Sequence, residues 1–528
     1  MTAASERRPK RVVIIGAGPG GLATAMLLAA QGLKVTVLER LDRVGGRTST
    51  LDYDGFRFDM GPTFFLYPQI LREIFQTCGL KLEDHVDLIR LDPQYHLIFE
   101  EGGELRATPD IKRMQAQIAT ISPDDAKRFP DFMADNRKKF ARFASILQKP
   151  FSSPLDCLSP DVLKAAPLLR PWASVDSDLG RFFSDERIRL AFSFQSKYLG
   201  MSPFRCPSLF TILSYLEYDY GVFHPRGGCG AVSTAMSRAA ESLGAEIRLN
   251  EPVEEILFEK TKATGVRTNR CVLEADSVVL NADFGAAVTS LIPKQLRKKY
   301  SDQRVAAKKY SCSTFMMYLG IEGRYNDLEH HSIFLSRDYK TNLEQIETRF
   351  EIPTNPSVYV HNASITDPTL APDGHSTLYI LAPVSHLHDN IDWNQHAKPF
   401  RRKVLDQLTK FGLDDLEDRI RFEKILTPPD WAVDMNIYKG ATFNLAHNLQ
   451  QMLHLRPNNR FEELQGIYLT GGGTHPGSGL PVIYESARIS SRLLLQDLGL
   501  QPSWPDPSRR PIEPPVPFAA LTPERIMS

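Results

Sequence analysis

The sequence predicts a multi-lobed α/β protein, and three observations carry that expectation. A strand, a glycine-rich loop, a helix and a second strand follow one another between Arg11 and Glu39. Residues 65–225 lose that rhythm and space their apolar residues as helices do, as in "LYPQILREIFQTCGL" and "RFPDFMADNRKKFARFASIL". Residues 307–385 carry β-rich runs, "STFMMYLGIE", "SVYVHNASITD" and "STLYILAPV", which predict an antiparallel sheet. A chain of 528 residues is too long for one core, so two or three lobes are expected.

The first element is the most specific. "RVVII" (Arg11 to Ile15) reads as a buried strand, and "GAGPGG" follows with Gly16, Gly18 and Gly21 in the GxGxxG pattern. Gly16 permits a tight turn, Gly18 lets backbone approach a pyrophosphate, and Gly21 lets helix and strand pack closely. "LATAMLLAAQG" is the helix, and "LKVTVLE" is the second strand, ending at Glu39. Helix-terminal N–H groups suit phosphates, and an acid at the end of the second strand suits ribose hydroxyls. A Rossmann-like dinucleotide-binding domain is therefore expected.

Composition excludes several alternatives. Lysine plus arginine and aspartate plus glutamate both number 63, so the net charge is zero and nothing favours nucleic acid. The six cysteines, at 78, 157, 206, 229, 271 and 312, form no CxxC pair and read as reduced core thiols of a cytoplasmic protein. The basic and apolar N-terminus imitates a signal peptide, but its glycines and the strand after it argue against cleavage. No other stretch approaches ~18 uninterrupted apolar residues, so no spanning helix is expected. The histidines at 330, 331, 361, 375, 386 and 388 show no HxxxH spacing and read as separate strand histidines, with no metal expected.

After Glu39 come Gly45, Gly46 and Arg47, where a nicotinamide domain would more simply begin another helix. "GFRFDMGP" (Gly55 to Pro62) then alternates like a strand and ends in a turn. The Glu39…GGR pairing resembles the superfamily of FAD-binding amine oxidases and carotenoid desaturases. That resemblance implies FAD and a three-layer ββα dinucleotide domain of the glutathione-reductase and amine-oxidase type. It adds Arg40, Gly46, Arg47, Gly61, Pro62 and Thr63 to the cradle, and Val253, after a Glu-Pro turn, as a backbone contact to adenine.

The C-terminal "QGIYLTGGGTHPGSGLPVIYESARI" is a strand, a glycine turn and a helix opening at Pro481. FAD is about twice as long as one mononucleotide half, so a second element must hold its flavin end. Gly472, Gly473 and the backbone of Leu480, Pro481 and Val482 are the expected contacts, with the helix N-terminus favouring negative charge. "GGGTHPGSGLP" resembles the flavin motif of bacterial-type phytoene desaturases. So do "PRGGCGAV", "FSFQSKYLGMSPF", "SITDPTLAPDGHSTLYILAPVSHL", "TPPDWAVDMNIYKGATF" and "LRPNN". The similarity spans residues 10–498.

The resemblance implies an FAD-dependent desaturase of a polyisoprenoid hydrocarbon, bound peripherally to membrane, with a quinone or oxygen as electron acceptor. It also implies that "PDVLKAAP" is a helix reaching the flavin, with Asp161 and Lys164 as an acid–base pair. Their i,i+3 spacing puts both on one helix face, although Asp161 also suits a plain helix start. Glu485 reads as a helix-surface acid or as a second polar group near the flavin. Region 140–175 reads as an interfacial helix pair guarding a tunnel mouth, or as amphipathic helices facing the core. The same scaffold leaves a carotenoid isomerase, saturase or carotenoid-end oxygenase open, then an amine or protoporphyrinogen oxidase, then a non-enzymatic isoprenoid carrier.

The expected organisation is 1–75 for the ADP half of the FAD-binding domain and 76–225 for the helical and membrane-facing region. Residues 226–300 return to the FAD-binding domain, 301–425 form the antiparallel-sheet substrate lobe, 426–500 form the flavin end, and 501–528 form a proline-rich tail.

Overall fold

The computed structural model describes residues 8–505; most of the proline-rich tail lies outside the described residues. Its organising element is a five-stranded parallel sheet. The strand order is Glu246–Arg248, Lys34–Leu38, Arg11–Ile15, Ser277–Leu280 and Ile467–Leu469. Three strands from three distant parts of the chain therefore join the N-terminal βαβ unit, as the returning segments imply. The central strands are buried on both faces, which explains their continuous apolar runs.

One face carries the helices Pro19–Ala29, Cys229–Ser242 and Leu480–Asp497. The other carries a small antiparallel sheet of Val253–Glu259, Lys262–Thr268 and Val272–Glu274. Ile256, Ala263 and Val266 of that sheet share a core with Val13 and Ile15 of the parallel sheet. This is the three-layer ββα arrangement.

The second lobe, expected to hold substrate, is built on a seven-stranded sheet. Five strands come from residues 313–426 and pair antiparallel. The remaining two, Tyr95–Phe99 and Glu104–Ala107, come from the stretch read as helical, and the first pairs parallel with His331–Leu335. Two corrections follow. The region 76–225 is not wholly helical, and the sheet is mixed rather than purely antiparallel. Strands of four or five residues carry too little periodicity to stand out, and their partner lies more than 230 residues away.

The rest of that region is helical, dominated by Pro123–Leu147 and Ile212–Tyr220. Ser122 accepts the Asp125 N–H at 3.3 Å and Pro123 occupies the first turn, so "SPDD" starts the long helix as its composition implies. Its inner face is aromatic: Phe129, Phe132, Phe140 and Phe143 pack into one core with Phe183, Phe192 and Tyr218. All six cysteines are free thiols.

Candidate functional site

A single cavity of about 690 Å³ runs from the first glycine loop, between the lobes, to the aromatic helices. At one end its wall includes the glycine backbone of Gly16, Gly18 and Gly20. Gly16 has φ of +100°, and a Cβ there would stand 2.5 Å from the Asn281 carbonyl oxygen. A Cβ on Gly21 would stand 2.2 Å from the Gly16 oxygen, so this glycine lets the helix lie against the strand. Gly18 is the N-cap of the helix Pro19–Ala29, whose first turn has no side-chain cap and no acid. Uncapped N–H groups at the edge of a cavity form an anion site. The Glu39 carboxylate, 6% exposed, accepts the N–H of Ala17 at 2.8 Å and of Leu41 at 2.9 Å, and still forms part of the wall.

The far glycine turn repeats this construction. Gly479, at φ +112°, is the uncapped N-cap of Leu480–Asp497, with Pro481 in its first turn. The turn is held from behind by two side chains that carried no assigned role in the sequence. Arg456, 1% exposed, donates to the carbonyls of Gly472 at 2.7 Å and Thr474 at 3.1 Å. His447 accepts the Ser478 N–H at Nε2 at 3.0 Å, and burial holds its pKa well below the usual range, so it is a neutral acceptor. "LRPNN" marked the first of these only by resemblance; nothing in the single sequence marked His447.

The expected cofactor residues distribute as follows. Gly16, Gly18, Glu39, Arg40, Gly46, Arg47, Gly61, Pro62, Thr63, Val253, Gly472, Leu480, Pro481 and Val482 all line the cavity. Gly21 and Gly473 stand behind it; a Cβ on Gly473 would meet Phe284 at 2.5 Å, so its role is packing. Arg47 donates to the Thr442 carbonyl at 2.6 Å. Burial lowers its pKa, and the Asp283 carboxylate opposes that shift. An extended groove with an anion cradle at each helix start, an acid beside the first and glycines where Cβ atoms would clash fits a two-part dinucleotide.

The expected acid–base pair is placed elsewhere. Asp161 is half exposed and forms an ion pair with Lys149 at 2.5 Å; Lys164 is exposed beside it; neither lines the cavity. The helix Pro160–Leu169 covers the lobe from outside, with only Ala165 and Leu169 buried. Glu485 behaves in the opposite way. The surface-acid reading is corrected: its side chain is 3% exposed, lines the cavity and pairs with Arg488 at 2.9 Å. Burial raises its pKa, with Arg488 opposing.

Beyond the cradle the wall becomes apolar. Phe140, Phe143, Leu147, Phe194, Phe210, Leu213, Leu216, Ile333 and Trp431 form it. Behind them the buried Glu217 accepts from Tyr95 at 3.0 Å and Gln195 at 2.9 Å, and burial pushes its pKa up to about 7. A second group departs from expectation. His330 and His361, read as separate strand histidines, converge with His224, which was not among those considered.

Comparisons agree with this geometry. Residues 19–495 match the family of flavin containing amine oxidoreductases. A 4,4'-diapophytoene desaturase (4,4'-diapolycopene-forming) of a Methylomonas species is 43% identical over 92% of this chain and 95% of its own. An all-trans-zeta-carotene desaturase of Myxococcus xanthus is 39% identical over 97% and 98%. Among solved structures, an oxidoreductase of Methanosarcina mazei is similar with a TM-score of 0.63, at 18% identity, over 90% of this chain and 99% of its own. A Rab GDI of Plasmodium falciparum is similar at 0.52 and 12%, over 94% and 100%. These structural likenesses show the fold alone. The cofactor is FAD, and the chain belongs to the flavin-containing amine oxidoreductase family, among relatives that are carotenoid desaturases.

Proposed function

We propose that the protein is an FAD-dependent desaturase that introduces carbon–carbon double bonds into an acyclic polyisoprenoid hydrocarbon, a C30 or C40 carotenoid precursor. One observation carries the reading: the dinucleotide cradle opens directly into an apolar, aromatic-walled cavity. A hydrocarbon has no polar handle, so recognition rests on shape and water exclusion. FAD, when bound, supplies the acceptor for the hydride removed from the substrate. Gly16, Gly18 and the adjoining helix start would hold its phosphates, Glu39 its ribose, and Gly472 with Leu480, Pro481 and Val482 its flavin end.

The chain's own side chains do the rest. Phe194, Phe210, Leu213 and Leu216 orient the chain and keep water out. Removing two hydrogens also releases a proton, which needs an acceptor in a dry site. Glu485 is a buried carboxylate on the wall, and the rise in its pKa makes it a better acceptor than an exposed acid. Arg488, at 2.9 Å, opposes that rise and favours the ionised form.

The substrate is delivered from a lipid phase, and the outer helix supplies the contact. No helix of the described residues is long and apolar enough to cross a membrane. Leu155, Leu158, Leu163 and Trp172 are 74%, 62%, 56% and 76% exposed, close in sequence to the cavity-lining Leu147 and Gln148. Such a cluster suits an interface with lipid. Leu169, by contrast, is buried and serves the core. Reoxidation by a quinone or oxygen completes the cycle.

The experiment is to incubate purified flavoprotein with phytoene or its C30 analogue in liposomes, with a quinone, and to follow polyene absorbance. Growth of longer conjugated products supports the reading; a fully flavinated protein that converts neither substrate rejects it. Leu158, Leu163 and Trp172 changed together to Ser should reduce liposome co-sedimentation. Unchanged sedimentation would move the membrane contact elsewhere.

A further inference from the structure

The geometry points to a buried zinc-binding site formed by His224, His330 and His361, apart from the flavin cradle. One ligand-capable nitrogen from each histidine lies within 4.8 Å of the other two. The three come from separate parts of the chain. His224 is in the strand Val222–Pro225, His330 immediately precedes the strand His331–Leu335, and His361 ends the strand Val358–His361. All are buried, at 0%, 4% and 3% exposure.

The nitrogens are arranged as ligands and outer partners. Nε2 of His330 and Nε2 of His361 face each other at 3.0 Å. Two imidazole nitrogens bound tetrahedrally to one zinc stand roughly 3.3 Å apart, so a shared ion needs little movement. Nδ1 of His330 lies 2.7 Å from the Thr366 hydroxyl, which leaves Nε2 as its inward nitrogen. Nε2 of His224 lies 3.4 Å from the Asp367 carboxylate, while its Nδ1 is buried without a hydrogen-bond partner. In His224 and His330 one ring nitrogen lies against a carboxylate or a hydroxyl, the outer contact that orients metal-binding imidazoles.

Charge and chemistry agree. Three imidazoles bring no negative charge for a dication. The fully buried Asp367, and Asp59 close enough to feel His224, provide it. An all-imidazole set disfavours magnesium and calcium, which take oxygen ligands, and suits zinc, which adds no redox chemistry beside a flavin.

The ion would act as a bolt. The strand of His224 leads into the helix Cys229–Ser242 of the dinucleotide domain, whereas His330 and His361 belong to the substrate sheet. Beside the cluster, His331 Nδ1 lies 2.7 Å from the Tyr359 hydroxyl, which lies 2.7 Å from Thr63 on the cavity wall. Occupancy therefore stiffens the seam between the lobes.

The test uses the full-length flavoprotein with a tag free of histidine, expressed with added zinc. Elemental analysis should find about one zinc per chain, and X-ray absorption should show nitrogen neighbours near about 2.0 Å. His330→Gln and His361→Gln should each lose at least about tenfold in bound zinc, while His331→Gln keeps it. Chelator stripping of the wild type should lower Tm, and zinc sulfate should restore it. Wild-type protein holding under about a tenth of a zinc per chain, before and after zinc addition, overturns the site. So does full zinc in His361→Gln. Where the variants do not fold, stripping and add-back decide, and an unchanged Tm overturns the proposal.

Discussion

The two ends of the cavity recognise their contents by different means. The dinucleotide end is made of backbone: glycines without Cβ atoms and two helix starts without side-chain caps. The hydrocarbon end is made of side chains from Phe140, Phe194, Leu213, Ile333 and Trp431, spread over nearly 300 residues. Backbone recognition tolerates few sequences, because a Cβ at the wrong place collides. Apolar recognition tolerates many, because only volume and dryness matter. The first end is therefore stringent and the second permissive, and the predictions below probe that difference.

The largest effect is expected at the stringent end. Gly21→Ala puts a Cβ 2.2 Å from the Gly16 oxygen. The protein should purify colourless, with no desaturation; full flavin absorbance in this variant would break the comparison. At the permissive end, Leu213→Trp fills part of the cavity from a half-buried position. Flavin content should stay normal while kcat/KM for the hydrocarbon falls more than about tenfold. Equal losses of flavin and of turnover would show that the two ends are not separable.

Glu485→Gln tests the one buried acid that faces the cavity from the flavin-end helix. Turnover should fall at least about tenfold with FAD retained. A shift in the pH–rate profile accompanies the loss if the carboxylate takes the proton; a variant with wild-type turnover removes it from the chemistry.

Glu217 gives a smaller, pH-dependent effect. Its folded pKa of about 7 lies above its ordinary value, so the folded state binds its proton more tightly than the unfolded chain. Stability through this group is therefore greatest at low pH and declines as pH rises from the ordinary carboxylate range toward about 7. Glu217→Gln should flatten that part of a Tm-versus-pH curve, and an unaltered slope would show that the group titrates alike in the folded and unfolded chain. The smallest effect is expected from Asp161→Asn. Its carboxylate is exposed and paired with Lys149, so turnover should change by less than about twofold. A tenfold loss with normal flavin would bring the outer helix back into the reaction.

How much of this could be read beforehand follows the same division. Gly16, Gly18, Glu39 and the turn from Gly472 to Val482 were legible, because each works through local backbone geometry that only certain residues permit. The long helix Pro123–Leu147 was legible from its apolar spacing. The two strands within 95–107 were not, since four or five residues carry little period and their partner is distant. Asp161 and Glu485 show the limit most sharply. Both are acids on predicted helices; one faces water and the other faces the cavity, and only the packing of each helix distinguishes them.

By itself the sequence determined the N-terminal βαβ unit and the two glycine-rich helix starts, and its resemblance to a known family added the flavin cofactor and the three-layer domain. Those features rest on short glycine patterns whose φ angles and missing Cβ atoms leave few other residues possible. Only the tertiary structure decided which side chains wall the hydrocarbon cavity, which buried acid meets it, and that His224, His330 and His361 converge. Those features rest on contacts between segments 30 to 140 residues apart or more. A side chain's chemistry depends on what the fold places around it, and no spacing along the chain encodes that.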